Sequence, residues 1–272
     1  MAKYYDEIPE WLFEWIKKQQ MFWVASAPLS ADGRVNVSPK GTADCFHVVN
    51  SKQVWYEDLS GSGVETISHM RENGRITVMF TAFEGPPRIL RLWGVGTVHE
   101  YGTPEYEALI PAETRKPGSR AAIVVDIYQV GTSCGFAVPM YDFVTHRTQL
   151  LRSMNKKEDI DRKFASCSDV EKKDSDAVPP GSLRAYWLLK NMRSLDGLPG
   201  LLTAPDAIPG VTPQNNFDKD APRPMLRKNN WGDVTDKSGG LVFGDGRSLA
   251  LGFVLGAVAA SALTRALGKL QG

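Results

Sequence analysis

A short loop of alternating serines and glycines is the strongest chemical signal in this sequence. Residues 60–63 read Ser-Gly-Ser-Gly and lie between an apolar strand pattern at residues 54–56 and a helical pattern at residues 64–73. Glycines let backbone N–H groups converge, serines add hydroxyl donors, and the first turn of a helix offers unpaired amides with a partial positive charge. The loop therefore predicts an anion site, with a phosphate-bearing cofactor as the first hypothesis. A plain strand-to-helix connection is the alternative, because no Gly-Lys-Ser/Thr of a P-loop follows the glycines.

The other reactive side chains indicate no catalytic centre. The histidines and cysteines are scattered along the chain: His47, His69, His99, His146, Cys45, Cys134 and Cys167. They form no Ser/His/Asp order and no Cys-x-x-Cys pair, so neither a nucleophilic triad, a zinc site nor a disulfide framework is predicted. The net charge of +1 gives no electrostatic support for nucleic-acid binding. We therefore predict no catalytic side chain, no metal ion and no nucleic-acid partner.

Short strand patterns joined by tight turns surround this loop. Residues 21–40 predict a hairpin around Asp32-Gly33, and residues 45–49 and 53–58 predict a second hairpin. Three further strands are predicted at residues 75–83, 88–100 and 120–130, with one short helix between residues 59 and 74. Seven short strands of this kind favour an antiparallel, closed or nearly closed barrel.

The remaining segments predict helices, coil and an apolar tail. An amphipathic helix opens the chain between Ile8 and Ile16, and a second is predicted at residues 183–192 after a charge-rich stretch from residue 156. We predict a barrel domain over residues 1–150, a peripheral helical extension over 151–194, a coil or linker over 195–246, and an apolar helix over 247–272. The coil either wraps the domain or acts as a linker.

The uncharged run at residues 248–264 has two interpretations. At about 1.5 Å per residue it is about 25 Å long, which is at the lower limit for crossing a bilayer. Gly252, Gly256 and Ala260 form a stripe of small residues that favours close helix contact in lipid. The run predicts either a membrane tail anchor or a helix buried against protein or at a dimer contact. The polar first ten residues indicate no secretory signal, so we expect a cytoplasmic protein, tethered to an intracellular membrane if the tail inserts.

An ordered set of short motifs resembles one known family. The motifs are Phe-Trp-Val-Ala at residues 22–25, Asn-Val-Ser-Pro-Lys-Gly at 36–41, Val-Trp-Tyr at 54–56, Gly-Ser-Gly at 61–63, Asn-Gly-Arg-Ile-Thr-Val at 73–78 and Arg-Leu-Trp-Gly at 91–94. Together they resemble the pyridoxamine 5′-phosphate oxidase-like FMN-binding split barrel over about residues 8–130. Segments at residues 133–139 and 196–200 resemble a less characterised, often fungal, branch.

The resemblance implies a Greek-key split β-barrel that forms a homodimer, with two FMN sites at the subunit interface and a small-molecule substrate. The site residues that it implies are Val37, Ser38, Pro39, Lys40, Tyr56, Asp58, Ser62, Gly63, Thr66, Arg91 and Trp93. Lys40 would neutralise the phosphate or hydrogen-bond the ring edge, and Tyr56 and Asp58 would flank the ribityl chain. The Ser-Gly loop and Thr66 would hold the phosphate. Arg91 and Trp93 would face the site from the partner subunit or from its rim.

Two departures from the family pattern bear on the reaction. Ile89 stands where true pyridoxamine phosphate oxidases have a flavin-contacting glutamine, and their C-terminal substrate element has no counterpart after Val130. We therefore predict an FMN-dependent oxidoreductase of another small organic substrate. The alternatives are a non-catalytic flavin- or partner-binding barrel, and a barrel that binds haem or a deazaflavin.

Overall fold

An eight-stranded antiparallel sheet is the centre of the computed structural model, which describes residues 2–166 and 178–207. The strands are β1 (Lys3–Tyr5), β2 (Phe22–Ser26), β3 (Asn36–Lys40), β4 (Phe46–Asn50), β5 (Gln53–Leu59), β6 (Arg75–Thr81), β7 (Ile89–Glu100) and β8 (Ser119–Ser133). Their order across the sheet is β3-β2-β6-β7-β8-β5-β4, with β1 paired to β8. The helices are α1 (Glu10–Lys17), α2 (Glu65–Glu72), α3 (Pro104–Leu109), α4 (Gln149–Ser166) and α5 (Leu183–Lys190), followed by a 3₁₀ turn at Ala204–Asp206.

The sheet curls until its two ends approach each other. Phe46 of β4 packs with its ring centroid 4.9 Å from that of Phe22 of β2, and Lys40 of β3 forms an ion pair with Asp58 of β5. Gly94 lies at a register shift in β7, where a Cβ atom would stand 2.6 Å from the carbonyl oxygen of Asp126. Bulges of this kind increase strand bending and twist. The predicted mainly β split-barrel fold with peripheral helices is confirmed.

Two elements of the sheet domain were not predicted. The strand β1 pairs through Lys3, Tyr4 and Tyr5 with the end of β8, so the described residues contain eight strands where seven were predicted. At three residues, β1 is too short to show alternation. The helix α3 also interrupts the strands, and its start has a clear sequence signal: the Thr103 hydroxyl accepts the Tyr106 N–H, and Pro104 follows the cap.

The C-terminal extension packs into the same core as the barrel. Trp187 of α5 is fully buried, and so are Leu201 and Ala204 in the segment that follows. Arg115 donates to the buried Glu158 of α4 at 3.1 Å, and the Glu100 carboxylate accepts the backbone N–H groups of residues 202–204. The described residues on either side of the predicted boundaries at 150 and 194 therefore share one hydrophobic core, and residues 195–207 lie against the sheet domain.

The tail prediction falls outside this description. Residues 208–272, and with them most of the predicted coil and the whole apolar run at 248–264, lie outside the described residues. Among the helices that are described, none combines the length and the hydropathy that crossing a membrane requires.

Candidate functional site

A cavity of about 350 Å³ opens between the curled ends of the sheet. We call it the Lys40 cavity. Six of the eleven predicted site residues line it: Ser38, Pro39, Lys40, Ser62, Gly63 and Thr66. They come from β3, from the loop after β5 and from the first turn of α2. The curl of the sheet therefore brings together two predicted segments that are more than twenty residues apart in the sequence.

A buried carboxylate holds two cations at this cavity. Lys40 Nζ lies 2.6 Å from one oxygen of Asp58, and Arg120 Nε lies 2.8 Å from the other. Arg120 also donates to the carbonyl oxygen of Gly63 at 2.9 Å. Burial opposes ionisation of Asp58, but Arg120 and Lys40 outweigh it and lower the pKa of that carboxyl from 3.8 to about 2. Two cations on one carboxylate make this side of the cavity locally positive.

The Ser-Gly loop presents only part of itself to the cavity. Ser60 is fully buried: its hydroxyl donates to the Gly118 carbonyl at 2.6 Å and accepts the indole N–H of Trp187 at 2.6 Å. Asn191 donates to the carbonyl oxygen of Gly61 at 2.9 Å. Ser60 therefore anchors the loop from behind, while Ser62 and Gly63 face the cavity. Neither Gly61 nor Gly63 has a positive φ, so the loop conformation itself does not require glycine at these positions.

The start of α2 forms another side of the Lys40 cavity. Its N-cap residue, Val64, has no side chain that can bond the first amides. Such a terminus carries a partial positive charge. Two carboxylates also line the cavity, but each has a partner: Glu57 binds Lys116 Nζ at 2.9 Å, and Glu65 accepts the Leu195 N–H at 3.2 Å. Lys116 balances the charge of Glu57, whereas Glu65 keeps its charge beside Gly63. The side of the cavity formed by Lys40 and Arg120 is therefore the side best suited to a phosphate.

A chain of hydrogen bonds fixes the cavity wall. Asn36 donates to Thr66 Oγ1 at 3.0 Å and accepts from the Ser38 hydroxyl at 2.9 Å. Behind them, Ser26 Oγ lies 2.9 Å from Nδ1 of the buried His69. Burial lowers the pKa of His69, so this ring is neutral at pH 7. His69 thus supports the polar wall and is itself shielded from the cavity.

The remaining predicted site residues lie elsewhere in the single chain. Tyr56 is fully buried in the core, with its ring centroid 5.3 Å from that of Phe22, and Asp58 lies beneath Lys40. Both side chains point inward and neither lines the Lys40 cavity, so their place beside a ribityl chain stays a prediction. Val37, Arg91 and Trp93 line a separate apolar hollow on the other face of the sheet, which we call the outer face.

Sequence reasoning missed two residues that the structure places at the site. Arg120 is the second residue of β8 and lies sixty-two positions after the Asp58 that it binds. Its only sequence signal is an arginine at the head of the apolar run Ala-Ala-Ile-Val-Val. Trp187 lies in the helix predicted at residues 183–192, and nothing in that helix pattern indicates a bond to Ser60.

The Lys40 cavity can bind and orient an anion, but it offers little for acid–base chemistry. The Cys45 thiol lines it, and burial raises the pKa of that thiol, so it stays protonated at neutral pH. The described arrangement is therefore suited to hold a ligand that brings its own reactivity.

Comparison with known proteins gives matches over most of the described chain. The sequence profile of the family described as "Pyridoxamine 5'-phosphate oxidase" matches residues 8–134. The "Pyridoxamine 5'-phosphate oxidase family protein ustO" of Aspergillus flavus is 41% identical over 209 residues, which cover 75% of this chain and 80% of that protein.

Solved structures match a smaller part of the chain. HupZ of Group A Streptococcus has a TM-score of 0.38 and 22% identity, covering 46% of this chain and 99% of that chain. An FMN-binding protein of Syntrophomonas wolfei has a TM-score of 0.33 and 9% identity, covering 48% of this chain and 84% of that chain.

Proposed function

Because the chain belongs to the pyridoxamine 5′-phosphate oxidase family, we propose that it is an FMN-binding flavoprotein that oxidises or reduces a small organic substrate. The observation that carries this proposal is the Lys40 cavity, where Lys40, Arg120 and Ser62 converge with the start of α2. Such a set suits a phosphate monoester, because cations and free amides make charge-assisted hydrogen bonds to its oxygens.

Each residue of the cavity has a distinct part in this proposal. Lys40 and Arg120 would balance the phosphate charge, Ser62 would donate its hydroxyl, and Thr66 would position the polar wall through Asn36. When bound, a flavin supplies hydride and electron transfer by itself. The protein then needs no acid–base side chain at the cavity, which agrees with the protonated Cys45 thiol.

A homodimer is part of the same proposal. The outer face exposes large apolar side chains: Val35 is 71% exposed, Val37 61%, and Val95 51%, beside the hollow of Trp23, Met79 and Trp93. An apolar surface of this kind on one face of a sheet is typical of a protein–protein contact. A two-fold dimer through this face would bury Val37, Arg91 and Trp93 at the subunit interface. In such a dimer these three residues could contact a flavin that is bound between the two subunits.

We expect FMN to bind roughly 10- to 100-fold more tightly than riboflavin, the gain of about one charge-assisted hydrogen bond at about 1.5–3 kcal/mol once desolvation of the phosphate is included. Lys40→Met should weaken FMN about tenfold and leave riboflavin unchanged. Quenching of flavin fluorescence measures both affinities, and a visible spectrum of the purified protein separates FMN from haem and from a deazaflavin.

The matched control is Lys52→Met, because Lys52 is exposed in the turn between β4 and β5. It should change neither affinity. Equal binding of FMN and riboflavin by the natural protein would exclude a phosphate role for the Lys40 cavity.

Pyridoxamine 5′-phosphate is expected to be a poor substrate. Ile89 offers only a hydrocarbon side chain where the oxidases have a glutamine, and the sequence after Val130 has no counterpart of their substrate element. The described residues after β8 form coil and the helices α4 and α5. Incubation of the FMN-loaded protein with this amine in air should yield background amounts of pyridoxal phosphate and hydrogen peroxide. Robust formation of both products would contradict the proposed substrate class.

A further inference from the structure

A second and larger cavity adjoins the Lys40 cavity. Its volume is about 670 Å³, within the range of about 300–1,000 Å³ that is usual for small-molecule sites. We call it the His47 cavity. His47 and Trp55 form one wall, Leu109, Ile110 and Leu151 add apolar surface, and Thr42 and Glu57 line both cavities. A ligand in the His47 cavity would therefore lie beside one in the Lys40 cavity.

The aromatic wall follows from strand register. His47 of β4 and Trp55 of β5 are directly opposite partners, and their rings stack with centroids 3.8 Å apart and planes 14° apart. Burial and the nearby Lys116 lower the pKa of His47, so the imidazole is neutral at pH 7 and the stacked pair carries no charge. A flat, uncharged wall favours a flat ring in the ligand.

The buried charges of this cavity already neutralise each other. Glu57 accepts the backbone N–H of Lys116 at 2.8 Å and its Nζ at 2.9 Å, and the same Nζ donates to the Asp44 carbonyl at 3.0 Å. The other charged lining side chains, Asp44, Glu113 and Arg147, are exposed at the rim. The His47 cavity thus contrasts with the Lys40 cavity, where two cations share one carboxylate.

We propose that the His47 cavity binds an uncharged, flat aromatic molecule, and that this is the substrate class of the flavoprotein. The assignment as substrate rests on the proposed flavin function, whereas the binding itself does not. Such a ligand suits the stacked aromatic wall, the apolar lining and the neutralised Glu57–Lys116 ion pair. A phosphorylated ligand would find no free buried cation among the described lining residues.

The test is calorimetric titration of the full-length protein with 2-naphthol and with 2-naphthyl phosphate, with and without saturating FMN. 2-Naphthol should bind, and the FMN-loaded protein should prefer it to the phosphate. His47→Ala removes one stacked ring and should weaken 2-naphthol roughly three- to tenfold. Ala43→Trp places a bulky ring at the cavity rim and should weaken it at least about tenfold.

Two controls separate the possible failures. Ala31→Trp, in the exposed turn before β3, should leave 2-naphthol binding unchanged, and neither cavity variant should alter FMN affinity. Absence of 2-naphthol binding, equal binding in all variants, or tighter binding of the phosphate to the FMN-loaded protein would overturn the proposal. If 2-naphthol binds as expected and FMN does not bind, the cavity inference holds and the flavin function is the part that fails.

Discussion

Replacing Asp58 by alanine is expected to lower the free energy of unfolding by about 3–5 kcal/mol. Asp58 is fully buried and is the common partner of Lys40 and Arg120, and the Arg120 side chain is itself only 4% exposed. Removing the carboxylate leaves a buried guanidinium without its counter-charge and pushes two cations together. Denaturant unfolding followed by circular dichroism measures the loss.

The matched control is Asp142→Ala, at an exposed position in the coil before α4. It should change the free energy of unfolding by less than about 0.5 kcal/mol. A loss in Asp58→Ala no larger than in this control would mean that the three charges do not act as a buried unit.

The same carboxylate should make stability depend on pH in acid. The pKa of Asp58 is about 2 in the folded state and 3.8 ordinarily, so ionisation stabilises the fold above about pH 4. As the pH falls from about 4 towards 2, about 2 kcal/mol of this contribution is lost, since one pKa unit corresponds to about 1.4 kcal/mol. Asp58→Asn should lack this component, so its stability should approach that of the natural protein as the pH falls. Parallel pH profiles of the two proteins would argue against a depressed pKa.

Replacing Trp187 by alanine is expected to lower the free energy of unfolding by about 3–5 kcal/mol and to weaken FMN binding as well. The side chain is fully buried against Tyr101, with ring centroids 6.0 Å apart, and its N–H bonds the Ser60 hydroxyl. Loss of the ring opens a cavity in the core, and loss of the bond releases the loop that carries Ser62.

Trp187→Phe separates these two effects. Phenylalanine keeps most of the apolar contact but leaves the buried Ser60 hydroxyl without a donor, which costs about 1–3 kcal/mol. The FMN dissociation constant should rise while riboflavin binding changes less, since the loop faces the phosphate. Trp11→Phe is the control, because Trp11 is 51% exposed on α1. An unchanged FMN affinity in Trp187→Phe would show that the loop keeps its position without the hydrogen bond from Trp187.

The extension is therefore part of the proposed site. Trp187 and Asn191 donate hydrogen bonds to the Ser-Gly loop on the side away from the cavity. The Leu195 N–H donates to Glu65 at the start of α2, and the Glu100 carboxylate accepts hydrogen bonds from residues 202–204. A protein shortened at residue 150 would expose the back of this loop. The predicted boundary at residue 150 marks a change in amino-acid composition. In the structure, the described residues before and after it pack around a shared hydrophobic core.

Local patterns in the sequence were enough to predict most of the sheet. The hairpin predicted at residues 21–40 is present as β2 and β3, whose side chains alternate between the two faces of the sheet. Phe22, Val24 and Ser26 of β2 are buried, and Val37 of β3 lies on the opposite face from Asn36 and Ser38. The Ser-Gly loop was predicted from residue types alone. By contrast, β1 was not predicted, because three residues are too few to show an alternating pattern. It forms because the end of β8 provides hydrogen-bonding partners for its backbone.

Local sequence is enough to assign the strand segments, the residue types that could meet an anion and the family resemblance, because these depend on neighbours within a few positions. Which of those residues contact one another depends on the packing of the whole sheet. Lys40, Asp58 and Arg120 stand on three strands, and their contact requires the curl of the whole sheet. The same curl puts Val37, Arg91 and Trp93 on the face away from Ser62, and Trp187 reaches Ser60 across 127 positions of sequence. Contacts between residues so far apart in the sequence depend on how whole strands and helices pack. No local repeat in the sequence predicts them.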